Sequence, residues 1–237
     1  MADINKKPDT LEEILDKICA NVFGYRNPFT PEQFLQKFGF DIRLPKPIND
    51  STDGSQTWAQ STNPTKFITF KNAQKRAEID DFMIPKRPIN SVEDILAAWQ
   101  ETNYMATERQ LESIDIFESD NIYNSQNVYR SMDVHFSKNV FACDGCHKFE
   151  YVACSQRSNS STYCLRIEDS KECSNSFNII WSGKITNCLF INDCYDMYKC
   201  MFCSHMAGKK FCIANMQFTE EEYNHWEKII KQWILSN

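Results

Sequence analysis

Glycine is scarce in this sequence: six of the 237 residues are glycine, and none falls in a G-x-G-x-x-G or G-x-x-x-x-G-K-[ST] pattern. Nucleotide binding by a glycine-rich phosphate loop is therefore not indicated. Apolar runs are short, and none approaches the ~18 residues that a membrane-spanning helix needs. The first ten residues contain no apolar segment of the signal-peptide type. We therefore expect a protein of the cytoplasm or of a virion that does not bind membranes.

The chain also has no excess of positive charge. The chain has 26 Lys and Arg against 32 Asp and Glu, which gives a net charge of −6, and residues 111–237 hold 12 bases and 16 acids, a net −4. A protein that binds nucleic acid without sequence preference needs a basic surface that displaces counterions. We therefore do not expect direct nucleic-acid binding, and we expect protein partners, with a large assembly as one setting.

Residues 1–110 carry helix signals. Residues 10–13 (Thr-Leu-Glu-Glu) and 30–33 (Thr-Pro-Glu-Gln) are capping boxes, and the second has proline at the first helical position. Residues 91–94 (Ser-Val-Glu-Asp) open another helix, with Ile95, Leu96 and Trp99 on one face. The sequence therefore predicts a helical N-terminal region.

One segment of this region is predicted to be extended. Residues 44–65 contain Pro45, Pro47, Pro64 and an Asp-Gly pair among Ser, Thr, Asn and Gln. This composition favours turns and offers little to bury. We interpret it as a long loop or arm, which either is a flexible surface loop or docks on a neighbouring molecule.

From residue 121 onward the sequence repeats with a period of six. Each unit has Asn or Asp, then a β-branched residue, then an aromatic residue or His, and Ser or Cys three places after the β-branched one. The units begin at Asn121, Asn127, Asp133 and Asn139, and the register resumes at Asn187, Asp193 and Lys199, where Cys188, Cys194 and Cys200 take the β-branched positions. Repeats of this kind predict a β-solenoid, with a small apolar residue inward and Asn or Asp at a bent corner.

We place this parallel β-solenoid at residues 111–218. At ~18 residues per three-sided coil it would have about five or six coils, with the handedness left open. Polar residues between 145 and 182, such as those of 155–161, interrupt the six-residue register. We expect them to form loops that leave one edge of the solenoid.

Residues 219–237 are predicted to form an amphipathic helix that caps the solenoid. Residues 219–222 (Thr-Glu-Glu-Glu) are a third capping box, and the helical stripe contains Tyr223, Trp226 and Trp233. A solenoid must cover its last coil, which favours a cap. The alternative is a partner-binding helix that presents Trp226 and Trp233. The predicted class is therefore α+β: a helical N-terminal region with a long loop, then a β-solenoid and its capping helix.

The repeats, together with residues 208–223 (Gly-Lys-Lys-Phe-Cys-Ile-Ala-Asn-Met-Gln-Phe-Thr-Glu-Glu-Glu-Tyr), resemble a group of cysteine-rich β-solenoid proteins. Proteins of this group occur in tailed bacteriophages and in candidate-phylum bacteria. The resemblance covers the C-terminal half only. It implies a phage or mobile-element setting and names no reaction.

Ten of the eleven cysteines lie between 143 and 212. The pairs Cys143/Cys146 and Cys200/Cys203 have the C-x-x-C spacing that lets two thiolates bind one zinc ion, so a structural zinc with these four ligands is one hypothesis. The two pairs are 53 residues apart, however, and several cysteines occupy repeat positions. We therefore favour a ladder of reduced, buried cysteines and expect no cofactor.

No nucleophile, base or oxyanion donor can be assigned from the sequence, so we predict a non-enzymatic structural or adaptor protein. A β-solenoid would serve as a rigid scaffold in a phage particle, and a strip of Tyr123, Tyr129, Phe141 and Tyr195 would bind a protein partner. Two alternatives stay open: a phage-type regulator or inhibitor of a host nucleic-acid enzyme, and a zinc-binding protein that uses the CxxC pairs.

Overall fold

The structure, a computed structural model, describes residues 9–62, 66–79 and 82–236. The predicted class is confirmed: a helical N-terminal region is followed by a parallel β-solenoid and a C-terminal helix. Within the described ranges, none of the helices is long and apolar enough to span a membrane. The helices are α1 Leu11–Phe23, α2 Pro31–Phe38, α3 Phe70–Glu78, α4 Val92–Thr102 and α5 Glu220–Ser236.

Helices α1 and α2 begin at the predicted capping boxes. In each, the hydroxyl of the N-cap threonine, Thr10 or Thr30, accepts a hydrogen bond from the third helical N–H. Gly24 ends α1 with a φ of 79°, a conformation that glycine adopts without a steric penalty. The apolar faces of both helices, which include the fully buried Ile18 and Phe34, contact the flank of the solenoid.

The predicted arm at 44–65 is corrected by the structure, because its strands β1 Lys46–Asn49 and β2 Gln56–Ala59 form an antiparallel hairpin. The hairpin lies against a parallel pair, β3 Lys66–Thr69 and β4 Tyr104–Thr107, and the hydroxyls of Thr57 and Thr107 are 2.7 Å apart in the interior. Buried Asp50 also anchors it, since the carboxylate accepts from the Thr69 N–H at 2.7 Å. Polar composition predicted turns correctly but could not show these contacts. Residues 63–65 of the predicted arm lie outside the described residues.

Short parallel strands build the solenoid. They are β5 Gln110–Leu111, β6 Ile114–Phe117, β7 Asp120–Tyr123, β8 Gln126–Tyr129, β9 Met132–His135, β10 Lys138–Phe141, β11 Asp144–His147, β12 Glu150–Ala153, β13 Thr162–Glu168, β14 Lys171–Ser174, β15 Phe177–Ile180, β16 Gly183–Thr186, β17 Leu189–Asn192, β18 Tyr195–Tyr198, β19 Met201–Ser204, β20 Ala207–Lys210 and β21 Cys212–Ile213. The short β22 Met216–Gln217 folds back antiparallel on β21.

Each coil of the solenoid has 12 residues. Val128, for example, is paired with Val140, and Ile179 with Ile191. The parallel ladder runs from β5 to β21 and makes about nine turns. The predicted coil of ~18 residues and the count of five or six coils are therefore wrong. A six-residue period is compatible with 12 as well as with 18 residues per coil, so the sequence repeat alone could not distinguish them.

A three-residue pattern generates the coil. From Glu112 to Ala214 every third residue has a positive φ, between 45° and 67°. The left-handed conformation costs most residues about 1–2 kcal/mol and is easiest for Asn and Asp, besides glycine. The predicted Asn and Asp corners are confirmed at Asn121, Asn127, Asp133, Asn139, Asn187 and Asp193.

Before the last coil, the residue after a left-handed position points into the solenoid. This series forms an interior core of aliphatic side chains, cysteines, one methionine and one phenylalanine. Serine and cysteine occupy most of the tight turns, where they satisfy the backbone. The hydroxyl of Ser131 donates to the carbonyl of Tyr129 at 2.8 Å and accepts from the N–H of Cys143, one coil later, at 3.0 Å. Such ladders leave few polar groups unpaired in the interior.

The positions of strands and turns exchange in the middle of the solenoid. Ser155, Ser158 and Ser161 point inward in succession, and the seven-residue strand β13 follows them. Strand β13 pairs with β12 on one side and with both β14 and β15 on the other. The strands thereby move by three of the 12 residues, a quarter of a coil. The predicted loops between 145 and 182 are therefore wrong: these residues continue the triplet pattern and contain the shift.

The C-terminal helix packs along the side of the last coils. Tyr223 and Ile234 are buried, and the Tyr223 ring lies 6.1 Å from that of Phe211 in the last coil. At the other end of α5, Ile234 belongs to a second apolar core, which lies outside the solenoid and includes residues of α1 and α2 together with Phe177. The edge of β19 is covered by β21, and the Asn215 side chain bonds both the N–H and the carbonyl of Ser204.

Candidate interaction surfaces

The CxxC pairs lie inside the solenoid and are far from each other. Cys143 and Cys200 are 57 residues apart, nearly five coils, which is roughly 23 Å at about 4.8 Å per coil. One zinc ion therefore cannot be bound by Cys143, Cys146, Cys200 and Cys203 together. No group of three or more His, Cys, Asp or Glu residues suited to a metal ion is found in the described part of the chain.

Ten buried cysteines lie along the solenoid, as the predicted ladder requires. All eleven cysteines are free and buried. In the interior each thiol of the pairs donates to the carbonyl two residues earlier, as from Cys203 to Met201 at 3.3 Å. Burial raises the pKa of the Cys146 thiol, and a hydrogen bond with Cys188, together with burial, raises the pKa of Cys200 to about 12. These thiols stay protonated at neutral pH and serve as small apolar side chains.

The four aromatic residues predicted to form a strip lie on two different sides of the solenoid. Phe141 is fully buried beneath α2, where its ring is 6.2 Å from that of Phe34, and Tyr129 packs at the edge of the same core. Tyr123 contacts His135 on another side, and Tyr195 is 47% exposed on that same side further along. The six-residue period cannot reveal this arrangement, because residues six apart lie on opposite sides of a 12-residue coil.

Trp226 and Trp233 of α5 are half-exposed, with 47% and 49% of their surfaces accessible. Trp233 also lines an apolar cavity of about 530 Å³ together with Phe40 and Phe190. The predicted stripe is thus split: Tyr223 packs inward, whereas the two tryptophans stay half-exposed.

Helix α4 forms a second apolar surface. Its residues Val92, Ile95, Leu96 and Trp99 are 64%, 51%, 48% and 56% exposed. The predicted helix and its apolar face, with Ile95, Leu96 and Trp99 on one side, are both present, and that face is exposed. The helix turns Asp94, Ala98 and Thr102 toward the molecule, and these three are its partly buried residues.

A trough follows the axis of the solenoid along the turns of its second half, with a volume of about 790 Å³. Five residues that are 12 apart form one wall, which comprises Arg157, Asp169, Trp181, Asp193 and His205. The other wall comprises Asn159, Lys171, Gly183, Tyr195 and Ala207. The six-residue repeat does not reveal this site, whereas the 12-residue spacing of these residues indicates it once the coil length is known.

Hydrogen bonds hold the first wall of the trough in place. Arg157 binds the Asp169 carboxylate with two donors at 2.9 and 2.8 Å, and the Trp181 indole N–H donates to the same carboxylate at 3.1 Å. The hydrogen bonds from Arg157 lower the pKa of Asp169. Further along, Nδ1 of His205 lies 2.7 Å from Oδ2 of Asp193.

Comparison of this chain with protein-family models, with curated proteins and with solved structures finds no match.

Proposed function

We propose that this protein is a non-enzymatic structural or adaptor protein whose β-solenoid is a rigid protein-binding scaffold in a phage particle. The resemblance of its C-terminal half to cysteine-rich solenoid proteins of tailed phages supports the setting. The observation that carries the binding function is the outward apolar face of α4.

An amphipathic helix normally buries its apolar stripe, because that burial provides most of its stability. Helix α4 has 11 residues, a length that is marginal for an isolated helix in water, and none of its residues is fully buried. Its stripe of Val92, Ile95, Leu96 and Trp99 is spaced as the anchors of a helix that binds a groove on another protein. A protein partner is therefore the natural cover for this face.

The segment that precedes α4 also exposes apolar side chains. This stretch contains four large apolar residues that are 39–76% exposed: Ile79, Met83, Ile84 and Ile89. A single exposed apolar residue is common on protein surfaces, but four in one short stretch indicate an interaction surface. The exposed tryptophans of α5 would be a second contact region, at the other end of the chain. Between them the solenoid is stiff, because each coil is hydrogen-bonded to its neighbours.

The test is the native mass of tagged protein in lysate from its own genetic context, with mass spectrometry of the proteins that co-purify. Trp99→Asp places a charge in the apolar face, and Gln100→Asp adds the same charge beside it, outside the apolar stripe. We expect a stoichiometric large assembly with wild type and Gln100→Asp, and at least about tenfold less partner with Trp99→Asp.

A partner recovered equally with both variants would contradict binding through α4. A complex with a single host nucleic-acid enzyme, in place of a large assembly, would favour the regulator function over the particle component.

A further inference from the structure

We propose that the trough along the second half of the solenoid binds a neutral oligosaccharide, with the Trp181 ring as its stacking surface. This inference is independent of α4 and of the proposed scaffold function. Concave sites of about 300–1,000 Å³ with a few convergent polar groups are the usual form of ligand sites, and the trough has about 790 Å³.

Trp181 presents an exposed ring to the trough. Its side chain is 66% exposed, although tryptophan has the largest apolar surface to bury. Its indole N–H is bound by Asp169, which Arg157 holds in turn, so the exposed ring has a fixed orientation. An oriented, exposed ring offers a flat apolar surface at little entropic cost.

The opposite wall of the trough carries a second aromatic ring, that of Tyr195. Gly183 has no side chain, and a Cβ there would lie 3.3 Å from two ring carbons of Tyr195, so the Tyr195 ring covers the glycine. The Lys184 ammonium lies 5.3 Å from the centre of the same ring. Two exposed aromatic rings thus border the trough from opposite sides.

Positive and negative charges are balanced along the trough. The trough walls hold two cations, Arg157 and Lys171, and two carboxylates, Asp169 and Asp193. Such a balance offers no net attraction to a polyanion such as a phosphate backbone. Hydroxyl groups both donate and accept hydrogen bonds, so a polyol can pair with carboxylates, amides and ammonium groups alike.

The backbone of the trough argues against a peptide. Gly183 donates its N–H to Cys194 and Trp181 donates to Glu168, so these main-chain groups are already paired between coils. The Ser170 hydroxyl on the floor donates to the Glu168 carbonyl and accepts from the Ser182 N–H. A peptide would find no strand edge to extend, whereas a sugar chain needs only the side chains and rings of the walls.

A neutral-glycan array serves as a first screen. The purified protein is then titrated with neutral malto-, cello-, xylo- and N-acetylchito-hexaoses, and binding is measured by isothermal titration calorimetry and by tryptophan fluorescence. We expect at least one hexaose to bind at millimolar or lower concentration. Trp181→Ala should weaken that binding about tenfold or more, and Tyr195→Ala should weaken it as well. Phe136→Ala, which removes an exposed aromatic ring from the first half of the solenoid, outside the trough, should change the affinity less than about twofold.

Thermal unfolding is measured for each variant as a control for folding. We expect the Trp181 and Tyr195 variants to be folded, because both rings are exposed. The absence of binding to every neutral glycan would overturn the proposal. Equal binding by wild type and Trp181→Ala would overturn the site. Tighter, Trp181-dependent binding of a peptide from a displayed library would assign the trough to a protein partner instead.

Discussion

Buried serines of the solenoid interior close the turns of the chain, and Ser131 is a representative one. Its hydroxyl donates a hydrogen bond to the Tyr129 carbonyl and accepts one from the Cys143 N–H. Ser131→Ala would leave both buried groups without that partner, so we expect a loss of about 1–3 kcal/mol in the free energy of unfolding. Urea-induced unfolding measures it, with Ser160→Ala as the control because Ser160 is exposed on the same solenoid.

Equal losses for the two alanine variants would contradict this role. Ser131→Cys should cost less than Ser131→Ala. The Cys188 thiol supports this expectation, because its sulfur accepts from the N–H of Cys200 at 3.3 Å in the same kind of position.

Asp50 makes the stability of the N-terminal region depend on pH. Burial alone would raise the pKa of its carboxyl, but hydrogen bonds from Thr52, Thr69 and Asn72 outweigh burial and lower the pKa from 3.8 to about 2. Because the pKa of Asp50 is lower in the folded than in the unfolded chain, its ionisation contributes about 2 kcal/mol to the free energy of unfolding. This contribution is complete above about pH 4 and is lost as the pH falls toward 2. Denaturant unfolding from pH 5 to 2 should show this loss in wild type.

The same titration on Asp50→Asn should show a less stable protein with a weaker dependence on pH in that window. Asp196→Asn, which alters an exposed carboxylate of the solenoid, is the control. A pH profile of Asp50→Asn that matches wild type would exclude Asp50 as the source.

Among the elements, the shift at residues 155–161 determines which sides of the coil carry strands. Ser158 stands where the six-residue series that includes Val134 and Val140 would place another apolar residue, yet it occupies a turn. Its hydroxyl donates to the Gln156 carbonyl at 2.8 Å and accepts from the Ser170 N–H at 3.1 Å.

Ser158→Val restores the aliphatic period but removes these bonds, so we expect it to destabilise the protein by about 1–3 kcal/mol. Ile185→Val, a conservative change in a strand of the interior, should cost about 0.5–1.5 kcal/mol. Differential scanning calorimetry distinguishes the two. A Ser158→Val protein that is more stable than wild type would mean that the aliphatic period, and not the turn, dominates at this site.

The elements also show how far the sequence could be interpreted. Capping boxes depend on local chemistry, so α1, α2 and the start of α5 were predictable. The solenoid was predictable because its Asn and Asp corners repeat. The coil length was not, since a period of six fits several lengths, and the middle was misjudged because three successive inward serines conceal the triplet pattern. The trough depends on residues 12 apart and on the shift, neither of which the six-residue period contains.

For the molecule as a whole, the eleven cysteines report on global unfolding. All are buried, and burial raises the pKa of several thiols, to about 12 for Cys173. A thiol reagent reacts with the exposed thiolate, so the folded protein should react slowly, and all eleven should react after denaturation in guanidinium. Ellman's reagent gives both counts.

Ser160→Cys supplies the control, because it adds a twelfth thiol at an exposed position and should give one immediate equivalent. Rapid reaction of several cysteines in the folded wild-type protein would mean that the solenoid opens locally. Loss of thiols in both states would mean that some are oxidised or bound to metal.

The triplet pattern also bears on how such a gene can change in length. A gain or loss of twelve codons would add or remove one whole coil and keep every downstream side chain on its side of the solenoid. A gain or loss of three codons would preserve the left-handed and inward positions but turn everything downstream by a quarter of a coil. In-frame slippage within the gene is therefore a route by which the helix α5 and the trough can be reoriented relative to α4 without any substitution in the surfaces themselves.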